Sequence, residues 1–238
     1  MIDFNTKELL PLCEKFGLLL DYTALSQLER YGNMLLEYNE KVNLTAITEP
    51  REVLYKHFYD CLLFLKNTPL KGGNAVIDVG TGAGFPGLVL KIACPDINLT
   101  LLDGLNKRLD FLKAVLKELD LNAALLHARA EDAAKDAALR ETFDVACARA
   151  VAALPALCEM CLPFVKKGGV FTAMKGAGAE TEVAAAQNAV KILGGEISGV
   201  FYETLTGDEK RAFVNIKKVS QTPTKYPRQF SKIKKSPL

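Results

Sequence analysis

Two hydrophobic periodicities divide the chain. Up to about residue 70 the apolar positions recur at helical spacing. Leu9, Leu10, Leu12, Cys13 and Phe16 form one set, and Leu25, Leu28, Tyr31, Met34, Leu35 and Tyr38 a second. Spacing of this kind lines one face of a helix. Asp21 stands where the second helix needs an acceptor for its first free N–H groups. Pro50, a favourable first-turn residue, opens a third helix expected to run to Leu65. The stretch Pro69 to Asn74, with Gly72 and Gly73, then punctuates the pattern.

Beyond it, short apolar runs alternate with helical stretches. Strands are expected at 75–79, 98–103, 123–128, 144–148 and 169–174, with helices at Gly84–Ala93, at Asn106–Leu119 and between the later strands. Strand and helix repeated this way predict an α/β fold, a doubly wound and mostly parallel sheet covered on both faces. Residues 196–219 read as two more strands joined by a turn near Leu205 to Asp208, one of them antiparallel, which makes the sheet seven-stranded. The expected organisation is an N-terminal helical extension (1–70), an α/β domain (71–220) and a tail (221–238).

Composition narrows the class. With 238 residues, 49% of them hydrophobic, the chain can build one sizeable core and a smaller appendage. It contains no apolar run approaching the ~18 residues of a membrane span and no signal-peptide pattern at its start, so no membrane partner and a cytoplasmic location are expected. Six cysteines scattered through apolar segments suit free thiols in a reducing compartment. Cys158-x-x-Cys161 has no second cysteine pair beside it, and the chain has two histidines, so no metal site is expected. Charge is uneven: residues 210–238 carry nine Lys or Arg and no acid, against 21 basic and 28 acidic residues before them. A basic tail on an acidic body suits contact with a polyanion as well as it suits a solvated terminus.

The segment from Val76 to Gly87 (VIDVGTGAGFPG) carries the candidate chemistry. A buried strand runs into glycines, where the chain must turn sharply and a ligand must approach the backbone. Two cofactor classes compete for it. Gly82-Ala-Gly84-Phe-Pro-Gly87 spells the dinucleotide pattern G-x-G-x-x-G, and Asp103 follows where a ribose-binding acid belongs. Asp78, just before the first loop glycine, Gly80, would repel a pyrophosphate but favour the sulfonium and ammonium of S-adenosylmethionine. The methyl donor is the better fit, with a nicotinamide-dependent oxidoreductase as the alternative. Asp78, Gly80, Gly82, Gly84 and Asp103 are the candidate cofactor residues, and Ala130-Glu131, after the third strand, is placed to lie over an adenine. Asp103 could equally cap the following helix.

Several segments together resemble one family. They include YNEKVNLTAITEPREVLYKHFYDCLL (38–63), VIDVGTGAGFPG (76–87), LLDGLNKRLDFL (101–112), ARAED (128–132), ARAVAALPAL (148–157) and KYPRQFSKIKKSPL (225–238). The chain is similar across its length to the bacterial 16S ribosomal RNA guanine-N7 methyltransferases, the glucose-inhibited division protein B (RsmG, GidB) family. The resemblance implies a class I S-adenosylmethionine-dependent methyltransferase fold with a helical extension, acting on N7 of one guanine in 16S rRNA or the small ribosomal subunit; a monomer is expected. It places cofactor contacts on Gly80, Phe85, Ala130, Glu131 and Arg149. Arg149 and Lys175, at strand ends, are expected to orient the substrate, with no general base assigned. Lys225, Arg228, Lys232, Lys234 and Lys235 are expected on the RNA backbone. Asn39, Asn43, Thr45, His57 and Asp60 are expected to form a polar cluster joining the extension to the cofactor domain.

Overall fold

The computed structural model describes residues 4–238. Helices α1 (Leu10–Glu14) and α2 (Tyr22–Val42) make up the first part of the extension. Asp21 caps α2 as its position predicts, its carboxylate accepting from the Ala24 N–H at 2.7 Å. Asn43 ends the helix in the left-handed region, where asparagine is tolerated. The expected third helix is present but not regular. α3 (Pro50–Val53) and α4 (Asp60–Asn67) are joined through a wide π-helical stretch, Leu54–Tyr59. Such insertions often mark functional sites.

The α/β part follows as β1 (Ala75–Val79), α5 (Gly87–Ala93), β2 (Asn98–Asp103), α6 (Asn106–Glu118), β3 (Ala124–His127), α7 (Ala130–Ala133), β4 (Phe143–Arg149), α8 (Leu154–Cys161), β5 (Val165–Lys175), α9 (Ala179–Ile192), β6 (Gly195–Thr204) and β7 (Lys210–Lys218). A last helix, α10 (Phe230–Lys235), lies in the tail, where periodicity gives no sign of one. The strands form one sheet in the order β3-β2-β1-β4-β5-β7-β6. β1 to β5 run parallel, and β7 runs antiparallel to both of its neighbours. Strand order reverses at β1, between β2 and β4, and open α/β sheets bind ligands at that crevice.

Alternation along the strands sends successive side chains to opposite faces. Val76, Leu101, Val145, Met174 and Phe213 share one apolar cluster with the described part of the extension, including Tyr31, Leu35, Phe58 and Phe64. Ile77, Leu102, Ala146, Phe171 and Val214 share the other with α8, α9 and two tail residues, Tyr226 and Ile233. The extension therefore has no core of its own; it is the cover of one sheet face. Polar clasps fix it there. Gln27 donates to the Leu119 carbonyl at 2.9 Å, and Asn215 of β7 donates to the Asn67 carbonyl at 2.8 Å.

Candidate active site

The glycine loop is organised from beneath by Asp78, which has no solvent exposure. Its Oδ2 accepts from the Thr81 hydroxyl at 2.7 Å and from the Gly87 N–H, the first of α5, at 2.8 Å. Burial lifts this carboxyl to about 6, while these hydrogen bonds and Arg149 oppose the shift. The expectation that Asp78 faces the ligand is thus corrected: the side chain points under the loop, because β1 alternation turns it toward α5. The glycines divide in the same way. A Cβ on Gly84 would lie 2.7 Å from the Tyr31 hydroxyl, and one on Gly87 would lie 2.8 Å from Asp78. Those two glycines permit packing. Of the loop glycines only Gly80 lines the open cleft, and the Gly82 N–H is held by Asp103 Oδ2 at 2.9 Å.

That cleft, about 490 Å³, lies over the C-terminal ends of β1 to β4. Gly80, Asp103, Arg108, Ala130, Glu131, Ala150, Met160 and Phe230 are among its walls. Asp103 does not cap α6, whose N-cap is Leu105. Its Oδ1 accepts from the Leu105 N–H at 2.9 Å in a tight local turn, and its Oδ2 accepts from the Gly82 N–H at 2.9 Å and from Arg108 at 3.2 Å. A carboxylate has about four lone-pair sites, so with three donors already bound Asp103 keeps capacity for about one more, on Oδ1. Glu131 is 8% exposed at the start of α7.

A second cleft, about 420 Å³, opens on the other side of Ala150. Lys56, His57, Asp60, Arg149, Lys175, Glu182 and Arg211 supply its polar walls, four of them basic and two acidic. Ala150 is common to both clefts and has φ of 55°, a sparsely populated conformation of the kind that recurs at functional sites. Arg149 is the hub of the second cleft. It donates to Asp60 Oδ2 and the Lys56 carbonyl at 3.1 Å each and to His57 Nδ1 at 3.0 Å, with its guanidinium 4.7 Å over the Phe85 ring. His57 must accept from Arg149 through Nδ1, so its Nε2–H donates to Thr45 Oγ1 at 2.8 Å. Burial first, and the Arg149 charge second, lower the His57 pKa to about 3.

The expected polar cluster is there in most of its members. Asn39 Oδ1 accepts from the N–H groups of Leu44 and Thr45 at 2.6 and 2.8 Å, and Thr45 passes the chain to His57, Arg149 and Asp60. Asn43 contributes through its backbone turn. Phe85 and Arg149 do not line the first cleft: Arg149 is a wall of the second, and Phe85 lies against its guanidinium, stacked on His57 at 4.5 Å.

Lys175, expected to orient the substrate, has its ammonium engaged by the protein itself. Its ammonium donates to the Ala152 carbonyl at 2.6 Å and pairs with Glu182 at 2.7 Å, fixing the loop after β4. Arg228 is corrected likewise. Its Nε and NH2 close on the buried Glu159 of α8 at 2.8 and 2.6 Å, so it anchors the tail instead of offering a free guanidinium. Lys225, Lys232, Lys234 and Lys235 are exposed. Sequence reasoning missed Tyr31, whose hydroxyl donates to the Ala83 carbonyl beneath the loop. It also missed Arg108, Met160 and Phe230. Glu159 carried a signal, since an acid inside an apolar helix needs a partner. Phe230 among lysines carried none. Among the described residues no group of three metal-ligating side chains comes together, and burial drives the Cys158 and Cys161 thiols far up.

The sheet order and the cleft at its switch point define a class I methyltransferase fold. Solved structures agree: a methyltransferase from Pyrococcus furiosus overlaps 82% of this chain and 99% of its own with a TM-score of 0.56 at 14% identity. A mutant form of the 16S rRNA (adenine(1408)-N(1))-methyltransferase from Catenulisporales acidiphilia covers 63% of this chain and 87% of its own, with a TM-score of 0.54 and 18% identity. Residues 24–214 match the profile of rRNA small subunit methyltransferase G, and the chain belongs to that family. The ribosomal RNA small subunit methyltransferase G of Alkaliphilus metalliredigens is 47% identical, and that of Clostridium botulinum 46%, each over 95% of both chains.

Proposed function

We propose that the protein transfers a methyl group from S-adenosylmethionine to N7 of a guanine in 16S rRNA, as a monomer in the cytoplasm. Family membership supports the reaction, and one structural observation carries the choice of cofactor. A dinucleotide would need the vacant N–H groups of the α5 N-terminus for its pyrophosphate. Here Asp78 takes the Gly87 N–H, and Leu88 N–H is bonded to the Gly84 carbonyl. The chain's own carboxylate fills the anion site. The open walls instead present Asp103 and Glu131, which suit ribose hydroxyls and a cationic ligand. Bound there, S-adenosylmethionine would supply an electrophilic methyl group.

Guanine N7 has an exposed lone pair and no proton to lose, so no general base is needed. His57 matches that requirement, being neutral and hydrogen-bonded on both ring nitrogens. The work of the protein is then alignment, which can contribute several kcal/mol (up to ~7–11 in ideal cases) to lowering the barrier. The second cleft, basic and separated from the first by Ala150, is the proposed seat of the extruded base. Arg149 would orient that base, held in place by Asp60 and His57. Lys175 would act indirectly, through the β4–α8 loop. Incubation with methyl-labelled S-adenosylmethionine and small ribosomal subunits from a strain lacking the gene should put label into 16S rRNA. Binding of S-adenosylhomocysteine without label in RNA would assign another acceptor, and binding of NADH alone would favour the oxidoreductase.

A further inference from the structure

We infer that Phe230, in the C-terminal tail, is a wall of the cofactor cleft that meets the adenine end of the bound nucleoside. The inference rests on the proposed cofactor reading of that cleft. The Phe230 ring is 39% exposed, yet it lines the cleft together with Met160, Ala130 and Glu131. It is not the chance position of a loose terminus. Two residues before it, the Arg228 backbone N–H and side chain both close on Glu159, at 2.8 Å each for N and Nε. Three residues after it, Ile233 is fully buried against α8 and its neighbours. Further back, Arg140 donates to the Tyr226 and Thr222 carbonyls at 2.9 and 2.8 Å. Anchors on both sides therefore hold an accessible aromatic ring at the mouth of the site.

Its place along the cleft selects the moiety. The reacting methyl must face the second cleft, across Ala150. The base of the nucleoside then lies at the opposite end, toward β3 and the start of α7, and the tail arrives at that end through Arg140 and α8. A ring face and the Met160 thioether make a polarisable surface suited to a purine, while a carboxylate would gain nothing from it. An ammonium would also be drawn to a ring face, and it is the position opposite the methyl that selects the base.

The chain contains no tryptophan, so Phe230→Trp installs a single indole that can be excited apart from the seven tyrosines. Titration of this variant with S-adenosylhomocysteine should shift its emission and saturate at the Kd found by calorimetry. Phe201→Trp, on an exposed strand position outside the cleft, should not respond. Phe230→Ala, which removes an exposed ring and leaves the fold intact, should weaken S-adenosylhomocysteine and adenosine alike, by about ten-fold. Unchanged emission at saturating ligand, or wild-type affinity in Phe230→Ala, would overturn the inference. So would a loss for S-adenosylhomocysteine with none for adenosine. Wild-type protein that binds neither nucleoside would instead overturn the cofactor reading itself, and this inference with it.

Discussion

Asp78 and His57 sit within the same buried region and titrate in opposite senses. Asp78 is raised from 3.8 to about 6 by burial, so between those values the folded state holds the proton more tightly. Its contribution to stability is full below pH 3.8 and declines as pH rises through 6. His57 is lowered from 6.5 to about 3, so the unfolded state takes the proton first. Its contribution is full above pH 6.5 and is lost as pH falls toward 3. Melting temperatures of Asp78→Asn and His57→Asn across roughly pH 4 to 8 should separate the two: the first should hold up better than wild type as pH rises, the second as pH falls. The His57 ring signals in an NMR titration should stay fixed from about pH 8 to 5; a midpoint near 6.5 would refute its buried, neutral state. Glycines give a second contrast. Gly84→Ala places a methyl against Tyr31 and Leu112 at a φ of 104°, and should destabilise by roughly 2–4 kcal/mol. Gly82→Ala meets open space and should cost only about 1 kcal/mol, from its φ of 60° alone. Chemical denaturation of both variants checks the difference.

At the scale of elements, the tail is the part whose role changes most between sequence and structure. Charge suits it equally to a polyanion contact or a solvated terminus, and the family resemblance places it on RNA, but Arg228 and Ile233 tie it to α8 first. Arg228→Ala would leave Glu159 buried without its partner, and breaking such a pair costs about 2–3 kcal/mol here after allowance for the part-exposed arginine. Limited proteolysis should then cut the tail faster than in wild type. The exposed lysines behave differently. Replacing Lys232, Lys234 and Lys235 with Gln should weaken RNA binding with little change in melting temperature. It should also flatten the salt dependence, by up to about 0.7–0.9 in slope per lost phosphate contact. An unchanged slope removes these lysines from the interface. The π-helical stretch at Leu54–Tyr59 shows the limit of periodicity on the other side of the molecule. Apolar spacing there reads as one continuous helix, and the widening becomes intelligible only once Arg149 is seen donating to the Lys56 carbonyl.

For the whole molecule, the sheet was legible because each strand is a short apolar run bounded by turn residues, and the β-α alternation leaves few topologies. All seven strands lie where these runs predict, within a few residues at their ends. That Gly80, Asp103, Ala130 and Glu131 line one cleft was legible, because they stand at or follow strand ends and so must share one edge of a parallel sheet; that the cleft holds the cofactor is the proposal. What stayed hidden depends on direction and distance. Asp78 turns beneath the loop, Lys175 and Arg228 find acids 7 and 69 residues away in sequence, and Phe230 reaches the cleft from the far end of the chain. The identity of the methylated atom decides the proposed function. Small subunits from a strain lacking the gene, treated with the protein and S-adenosylmethionine, should yield N7-methylguanosine on digestion of their 16S rRNA and mass spectrometry. Asp103→Ala should abolish it. Methylation of any other nucleoside would contradict the proposed acceptor, and undiminished product with Asp103→Ala would contradict the assigned cofactor cleft.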